Sequence, residues 1–220
     1  MRLIFCRAGN RRGMDIAMSA GFFPGAQMPK TIYYRPYFAD QNWKRPNRTR
    51  YMAELAKYRP HMATVLDWER SDQLSEVLDW AGEAAQYVRQ VVIIPKVHGG
   101  IDRLPRTIGR TEVVLGYSVP TVHGGTDTQI AEFQGWPVHL LGGSPHRQMQ
   151  VAHYVTVISA DGSMPFTMAR RAKYWDAGKW LPVEHGPDAP YRAFALSCQH
   201  IMAAWERLTT VERYEMERAA

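Results

Sequence analysis

Three aspartates follow short apolar runs in this chain, and carboxylates in that position can do chemistry on a glycosidic bond. Asp67 ends MATVLD, Asp161 ends VTVISAD, and Asp40 lies within YFADQNW. One carboxylate can attack an anomeric carbon while a second holds or shuttles a proton. An aspartate can also accept hydrogen bonds from the adjacent N1 and N2 donors of guanine. Each aspartate alone is equally well interpreted as a helix N-cap, so it is the set of three that favours a site.

Two copies of the tetrapeptide VHGG also follow apolar runs, in KVHGGID (96–102) and TVHGGTD (121–127). Glycines in such places let backbone N–H groups approach a ligand closely, although two turns that need a positive φ would give the same pattern. His98 and His123 are candidate proton carriers or base contacts. His139, beside an apolar run, is interpreted as structural.

Common metal-binding, nucleophile and nucleotide-binding motifs are absent from the sequence. The sequence has no HExxH or HxH spacing, no pair of cysteines in a CxxC arrangement, no nucleophile elbow, and neither a Walker nor a GxGxxG signature. We therefore predict that the protein uses no metal and no cofactor.

Composition indicates a globular protein with a basic surface. The 220 residues are 45% apolar and 22% charged, with a formal net charge of +6 and a pI near 9.4. The positive charge comes mostly from arginine, whose planar fork suits phosphates, although a preference for arginine codons would give the same excess. Neither a signal peptide nor a membrane-spanning run is visible, which predicts a cytoplasmic protein with no membrane partner.

The chemistry-bearing residues need a scaffold, and the pattern predicts one in which strands and helices alternate. Amphipathic spacing predicts helices over Arg48–Tyr58, Leu74–Arg89 and Pro145–Tyr154, a short helix over Thr126–Phe133, and a final helix over about 189–218. Residues 174–190, rich in Gly, Pro and Trp, are predicted to form a surface loop. The seven predicted strands are Leu3–Cys6, Thr31–Tyr34, Met62–Leu66, Val91–Pro95, Glu112–Tyr117, Val138–Leu141 and Val155–Ile158.

This order predicts an α/β fold with a parallel sheet in one domain covering residues 1–220. An open doubly wound sheet and a compact or incomplete (βα)8 TIM-type barrel both fit it. The barrel is favoured because polar or glycine-rich residues follow the strand ends, where barrel enzymes place their chemistry.

Five short segments, in order over about residues 62–170, resemble the tRNA-guanine transglycosylase superfamily, and in particular its phage-type branch that exchanges guanine for 7-deazaguanines in DNA. The family's nucleophile segment reads roughly DCVLPTRxxR, and here Asp161, Pro165 and Arg170 are in register with it. The other four segments are HLLGGSPHRQ (139–148) beside LMGVGxPED, LGYSVPT (115–121) beside GYAIGG, VHGG (97–100) beside VQGG, and ATVLDWE (63–69) beside the family's guanine-reading strand end.

The resemblance implies a role for each matching residue. Asp161 would be the nucleophile, Asp67 would hold the purine edge, and Asp40 is the best counterpart of the family's proton-handling aspartate. The base pocket would be shaped by His98, Gly99, Gly100, Gly116, Tyr117, Gly142 and Gly143. The nucleic-acid backbone would be bound by Arg170, Arg171 and Lys173. Trp175 and Trp180 could either stack on bases as exposed side chains or pack the final loop.

The chain departs from the family pattern in three places. The family's Thr-Arg after the proline is replaced by Phe166-Thr167 and its DSGGFQ segment has no clear copy, which favours a non-catalytic relative. The zinc-binding insert of the tRNA enzymes is also absent, and this third departure bears on the substrate. The resemblance therefore implies DNA rather than tRNA as the nucleic acid, with a 7-deazaguanine as the second substrate, in the cytoplasm of the host cell if a phage encodes the chain.

Three alternatives remain open at this point. The chain could be a catalytically inactive nucleic-acid- or base-binding subunit of the same fold that supports a protein partner. It could be an unrelated barrel hydrolase that uses the same aspartates, or all three aspartates could cap helices. The oligomeric state is not readable from the sequence, and a homodimer is compatible with it.

Overall fold

Eight parallel strands close into a barrel in the computed structural model, which describes residues 1–7, 10–30, 32–122 and 124–219, with side chains up to residue 209. The barrel closes because the strand at residues 90–93 pairs with the strand at 111–118, and the strand at 156–161 pairs with the strand at 2–5. The TIM-type α/β fold is thereby confirmed, and the open sheet is not observed. The barrel strands are β1 (Arg2–Phe5), β2 (Phe23–Met28), β3 (Phe38–Gln41), β4 (Met62–Thr64), β5 (Gln90–Ile93), β7 (Thr111–Ser118), β8 (Pro137–Leu141) and β9 (Thr156–Asp161), and the short β6 (Thr107–Ile108) pairs antiparallel with β7.

Helices cover the outside of the barrel, and their starts follow local capping chemistry. The side chain of Asn47 accepts from the Arg50 N–H at the start of the second helix, and Ser144, followed by Pro145, accepts from Arg147 at the start of the fourth. The helices are α1 (Arg11–Ser19), α2 (Arg48–Tyr58), α3 (Leu74–Ala84), α4 (Pro145–Ala152), α5 (Met164–Ala169) and the long α6 (Ala189–Ala219), with 3₁₀ turns at Ser71–Gln73, Ile101–Arg103 and Ile130–Phe133.

Alternate residues of the strands fill two separate cores. The inward-facing residues form a small cluster inside the barrel: Ile4, Phe38, Met62, Val92, Ile94 and Val114. The outward-facing residues pack under the helices in a larger cluster. This two-sided burial explains why the strands lack a strict polar alternation.

Two strands were missed because their composition is unusual. Residues 23–28 (FPGAQM) and 38–41 (FADQ) lack a β-branched apolar run, yet each pairs parallel with both neighbours inside the closed sheet. The predicted strand Thr31–Tyr34 is wrong over its described residues 32–34, which form the connection between these two strands. Helix α1 was also missed.

The predicted loop over residues 174–190 contains a hairpin instead. Strands β10 (Lys173–Asp176) and β11 (Lys179–Pro182) pair antiparallel across Ala177 and Gly178, both of which have positive φ. Trp175 is 2% exposed, lies opposite Trp180, and donates its backbone N–H to the Ser197 hydroxyl on α6. Of the two roles predicted for Trp175, packing is confirmed and exposed stacking on bases is wrong, because its indole belongs to the core.

Within the described part of the chain, no helix is both long enough and apolar enough to cross a bilayer.

Candidate functional site

The three sequence-predicted carboxylates share one cavity at the carboxyl end of the barrel. Asp40 lies on β3, Asp67 follows β4, and Asp161 ends β9; all three line a cavity of about 850 Å³. Parallel strands of a barrel end at the same rim, so side chains far apart in sequence meet there. The expectation that these aspartates reach one mouth is met.

Asp161 is a buried carboxylate that accepts hydrogen bonds from Gly142 and Cys6. Its side chain is 12% exposed, and its Oδ1 accepts the Gly142 N–H at 3.3 Å. Burial raises the pKa of Asp161 to about 6, against the opposing effects of hydrogen bonds from the Cys6 thiol and from Gly142. The group is therefore largely ionised at neutral pH while being poorly solvated, which is a favourable state for a nucleophile.

A neutral histidine lies directly behind Asp161. His139 is fully buried, its Nδ1 is 2.8 Å from the Ser159 hydroxyl, and its Nε2 is 3.7 Å from Asp161 Oδ1. Its ring packs on Phe38 with centroids 4.5 Å apart. Burial lowers the pKa of His139 to about 3, so the contact with Asp161 is not an ion pair. This agrees with the structural role predicted for His139.

Asp40 is the carboxyl group that shares the cavity with Asp161, and its pKa is also raised. Burial raises its pKa well above the usual 3.8, and the negative charges of Asp161 and Asp67 raise it further. The Thr64 hydroxyl donates to Asp40 Oδ1 at 3.3 Å and opposes that rise. Because the negative charge of Asp161 raises the pKa of Asp40, Asp40 is suited to carry a proton beside an ionised Asp161.

Asp67 is held by a lysine that the sequence analysis did not select. Lys96 Nζ lies 2.7 Å from Asp67 Oδ2 and 3.0 Å from Glu69 Oε1. Burial raises the pKa of Asp67 and Lys96 opposes that rise; burial also lowers the pKa of Lys96, but its two carboxylate partners outweigh this and keep it charged. The same strand-end rule that selected Asp67 could have found Lys96, since Lys96 follows β5.

The floor of the cavity beside Asp161 is formed by Gly142 and Gly143, whose φ angles are +66° and +76°. These two predicted pocket residues do line the cavity. A Cβ on Gly143 would lie 2.6 Å and 2.9 Å from side-chain atoms of Val119, so the loop needs glycine for space as well as for conformation.

Gly143→Ala should destabilise the fold more than a glycine substitution that adds strain alone. We expect a loss of about 2 kcal/mol in the free energy of unfolding, from left-handed backbone strain plus the Val119 clash. Denaturant unfolding measures this. Gly109→Ala is the matched control, because Gly109 has φ +60° with nothing within 4 Å of its Cβ, and it should lose only about 1 kcal/mol. Equal losses would show that Val119 yields freely.

Several predicted binding residues are not on the cavity wall. His98 Nδ1 is 3.3 Å from Glu132, and Gly99 donates its N–H to the same carboxylate at 2.8 Å, which holds this VHGG copy outside. Gly100 packs against the Trp68 ring. In the second VHGG copy, Gly124 and Gly125 line the cavity, while His123 lies outside the described residues.

Gly116 and Tyr117, two further predicted pocket residues, lie side by side on β7 and face opposite sides of the barrel wall. Gly116 faces the barrel interior, where a Cβ would come within 2.9 Å of Ile94, Leu141 and Val92, so it makes room below the cavity. Tyr117 points outward and packs edge-on against Phe133. Neither residue lines the cavity.

The predicted backbone-binding residues are exposed on the segment that follows Asp161. Arg170 caps α5, Arg171 follows it, and Lys173 begins β10. None lines the cavity, and their contact with nucleic acid stays a prediction. Besides Lys96, Arg7 and Lys30 are cationic residues that line the cavity, and neither was predicted from the sequence.

Two further cavity residues were missed. Cys6, one residue beyond β1, lies against Asp161 and near Asp40, and those carboxylates add to burial in raising the pKa of its thiol. Trp43 is 51% exposed and lies at the cavity edge. Within the described ranges, no group of three or more His, Cys, Asp or Glu side chains is arranged to hold a metal ion.

Comparison with known proteins gives a family but no activity. A search of curated proteins gave no significant match. The profile of a family described as a family of unknown function, DUF6610, matches residues 17–206, which include all of the carboxylates described above. The chain therefore belongs to the DUF6610 family.

Proposed function

We propose that the protein is a base-exchange transglycosylase, which replaces guanine in nucleic acid with a 7-deazaguanine through a covalent bond to Asp161. The observation that carries the proposal is the meeting of Asp40, Asp67 and Asp161 in one cavity at the barrel mouth, with the pKa of Asp161 near 6 and that of Asp40 raised well above 3.8. Base exchange needs an ionised nucleophile, a proton carrier and a group that reads the base.

The proposed reaction has two displacements. An oxygen of Asp161 attacks C1′, the C1′–N9 bond breaks with its electrons on the base, and Asp40 protonates the leaving guanine. The incoming deazaguanine then gives its N9 proton to Asp40 and attacks C1′, which breaks the ester bond to Asp161. Two inversions at C1′ leave net retention, and Asp67 holds the edge of each base in turn.

The order of segments supports this assignment. Asp161, Pro165 and Arg170 resemble the nucleophile segment of the tRNA-guanine transglycosylase superfamily. Where that family has Thr-Arg, this chain has Phe166, whose ring packs on Phe194, and Thr167, which bonds back to the Ser163 carbonyl. These two residues serve helix α5, so any phosphate contact comes from other groups.

DNA is the favoured substrate. The zinc-binding insert of the tRNA enzymes is missing, and Arg7 and Lys30 place positive charge at the cavity mouth. A nucleotide in a duplex must be flipped out of the stack to reach a carboxylate at the bottom of a cavity. Arg170, Arg171 and Lys173 are candidates for holding the flanking backbone.

A base-exchange assay tests the proposal directly. The purified protein is incubated with DNA or tRNA and labelled guanine or a 7-deazaguanine, and label in the polymer is counted. Incorporation into DNA is the expected result. Abasic sites without incorporation would instead indicate a hydrolase, and binding of the polymer with neither outcome would indicate an inactive supporting subunit.

Asp67→Asn should weaken binding of the base while the fold survives. The new amide places an N–H₂ donor opposite the N–H donors of the base, and the ion pair with Lys96 is lost. We therefore expect about a hundredfold loss in guanine affinity. Equilibrium dialysis with labelled guanine measures it, with circular dichroism as the fold check. Unchanged affinity would remove Asp67 from the base site.

A further inference from the structure

We propose that Lys96 donates a hydrogen bond to O6 of the bound base and thereby makes the cavity selective for 6-oxopurines. This inference rests on the proposed function, because it assigns the specificity of the same cavity. Lys96 would act beside Asp67 as the second half of a paired reader of the base edge.

The position of the Lys96 ammonium is fixed from several directions. Its backbone N–H donates to the Trp68 carbonyl at 2.8 Å, next to the bridge between Trp68 and Pro95. Its Nζ lies between Asp67 and Glu69, and 5.5 Å from the ring centroid of Trp43. A long flexible side chain is thus held in one place before a ligand arrives, which lowers the entropy cost of binding.

Counting donors shows that Lys96 has capacity left for a ligand. An ammonium has three N–H donors, and the carboxylates of Asp67 and Glu69 take two of them. The Asp67 carboxylate has about four lone-pair sites, of which Lys96 uses one. The wall therefore offers one donor and several acceptor sites side by side.

That arrangement matches one class of base. Guanine and 7-deazaguanines carry the O6 acceptor next to the N1–H donor, so O6 can face Lys96 while N1–H and N2–H face Asp67. Adenine carries an N–H₂ donor at position 6, which would face the Lys96 donor, and an N1 acceptor, which would face the Asp67 acceptor. A site built from hydrogen-bonding groups rejects such a mismatch strongly, because its own polar groups are left unpaired.

Burial makes the pairing decisive. The side chains of Lys96 and Asp67 are only 20% and 13% exposed. Hydrogen bonds to charged groups are stronger in such surroundings than in water. His98, predicted to touch the base, is held outside by Glu132, so Lys96 is the cation at this edge of the cavity wall.

The test compares two bases that differ only at position 6. Guanine and 6-thioguanine share N1–H and N2–H₂, but sulfur is the weaker acceptor. We expect the parent protein to bind guanine about tenfold more tightly than 6-thioguanine and at least tenfold more tightly than adenine. In Lys96→Met the ratio of guanine to 6-thioguanine affinity should fall to about one, whereas Lys96→Gln, which keeps an N–H donor, should retain part of it.

Lys179→Met is the matched control, because Lys179 is an exposed lysine outside the cavity and its loss should leave the ratio unchanged. Equal loss of both bases with the ratio intact, or loss of all binding in both Lys96 variants, would mean that Lys96 only supports Asp67 and would overturn the inference. Because the readout is binding, a Lys96-dependent ratio without exchange would refute the proposed reaction alone. Exchange with no dependence of the ratio on Lys96 would refute this inference alone.

Discussion

Asp161→Ala should abolish base exchange while leaving the fold and polymer binding intact. Removal of a nucleophile that forms a covalent intermediate typically costs about 10⁴-fold or more in rate. The measurement is incorporation of labelled guanine into DNA, together with a denaturing gel that detects a protein–DNA adduct. The parent should form the adduct, and the variant should not.

Asp102→Asn is the control, because Asp102 is an exposed aspartate in a 3₁₀ turn outside the cavity. It should exchange bases at the parental rate. If Asp161→Ala kept more than about a hundredth of the parental rate, the covalent route through this residue would be wrong.

The pH profile gives a second view of the same group. With the pKa of Asp161 near 6, the reactive ionised form is lost as the pH falls below that value, so the rate should fall about tenfold per pH unit on the acid side. Asp40 must stay protonated to act as the acid, and burial and the charge of Asp161 raise its pKa, so the rate should fall again once Asp40 ionises. A rate that stayed flat down to about pH 4 would exclude Asp161 as the titrating nucleophile.

The barrel could be predicted from the sequence because most of its helices and strands have local sequence patterns that match the structure they adopt. Arg48–Tyr58 was predicted with the bounds that α2 has, because its apolar residues recur at helical spacing. The strands at residues 23–28 and 38–41 were not predicted, because FPGAQM and FADQ lack a β-branched apolar run and pairing with both neighbours holds them in the sheet. Such strands are fixed by closure of the sheet rather than by their own propensity.

Some residues of the candidate site could likewise be predicted from the sequence, and others could not. Asp67 and Asp161 could be found because each ends an apolar run, and the strand-end rule then places them at one rim. The partner that orders Asp67 could not be chosen over His98 from the sequence. Both Lys96 and His98 follow β5 within five residues of its end, and only the contact of His98 with Glu132 decides which of them turns outward.

Burial of these carboxylates should lower the free energy of unfolding of the protein. Proteins commonly sacrifice stability at functional sites, and the strength of this cost depends on how far burial moves each pKa. The negative charge of Asp161 also raises the pKa of Asp40, so it is costly to ionise both groups together. Removal of Asp161 should therefore lower the pKa of Asp40 as well as remove the cost of burying the Asp161 charge.

We accordingly expect the stability of the parent protein to fall as the pH rises through the range where Asp161 ionises. Its pKa is about 6 in the folded state against an ordinary value of 3.8, so between these values the unfolded chain releases its proton first and unfolding becomes easier. Above about pH 6 the full penalty applies, about 3 kcal/mol for this difference in pKa, and below about pH 4 it vanishes. In Asp161→Ala the decline between about pH 4 and pH 8 should be smaller by about that amount, whatever the substitution costs in packing. Denaturant unfolding of both proteins across this range measures it, and parallel pH curves for parent and variant would show that the carboxylate is not poorly solvated in the folded state.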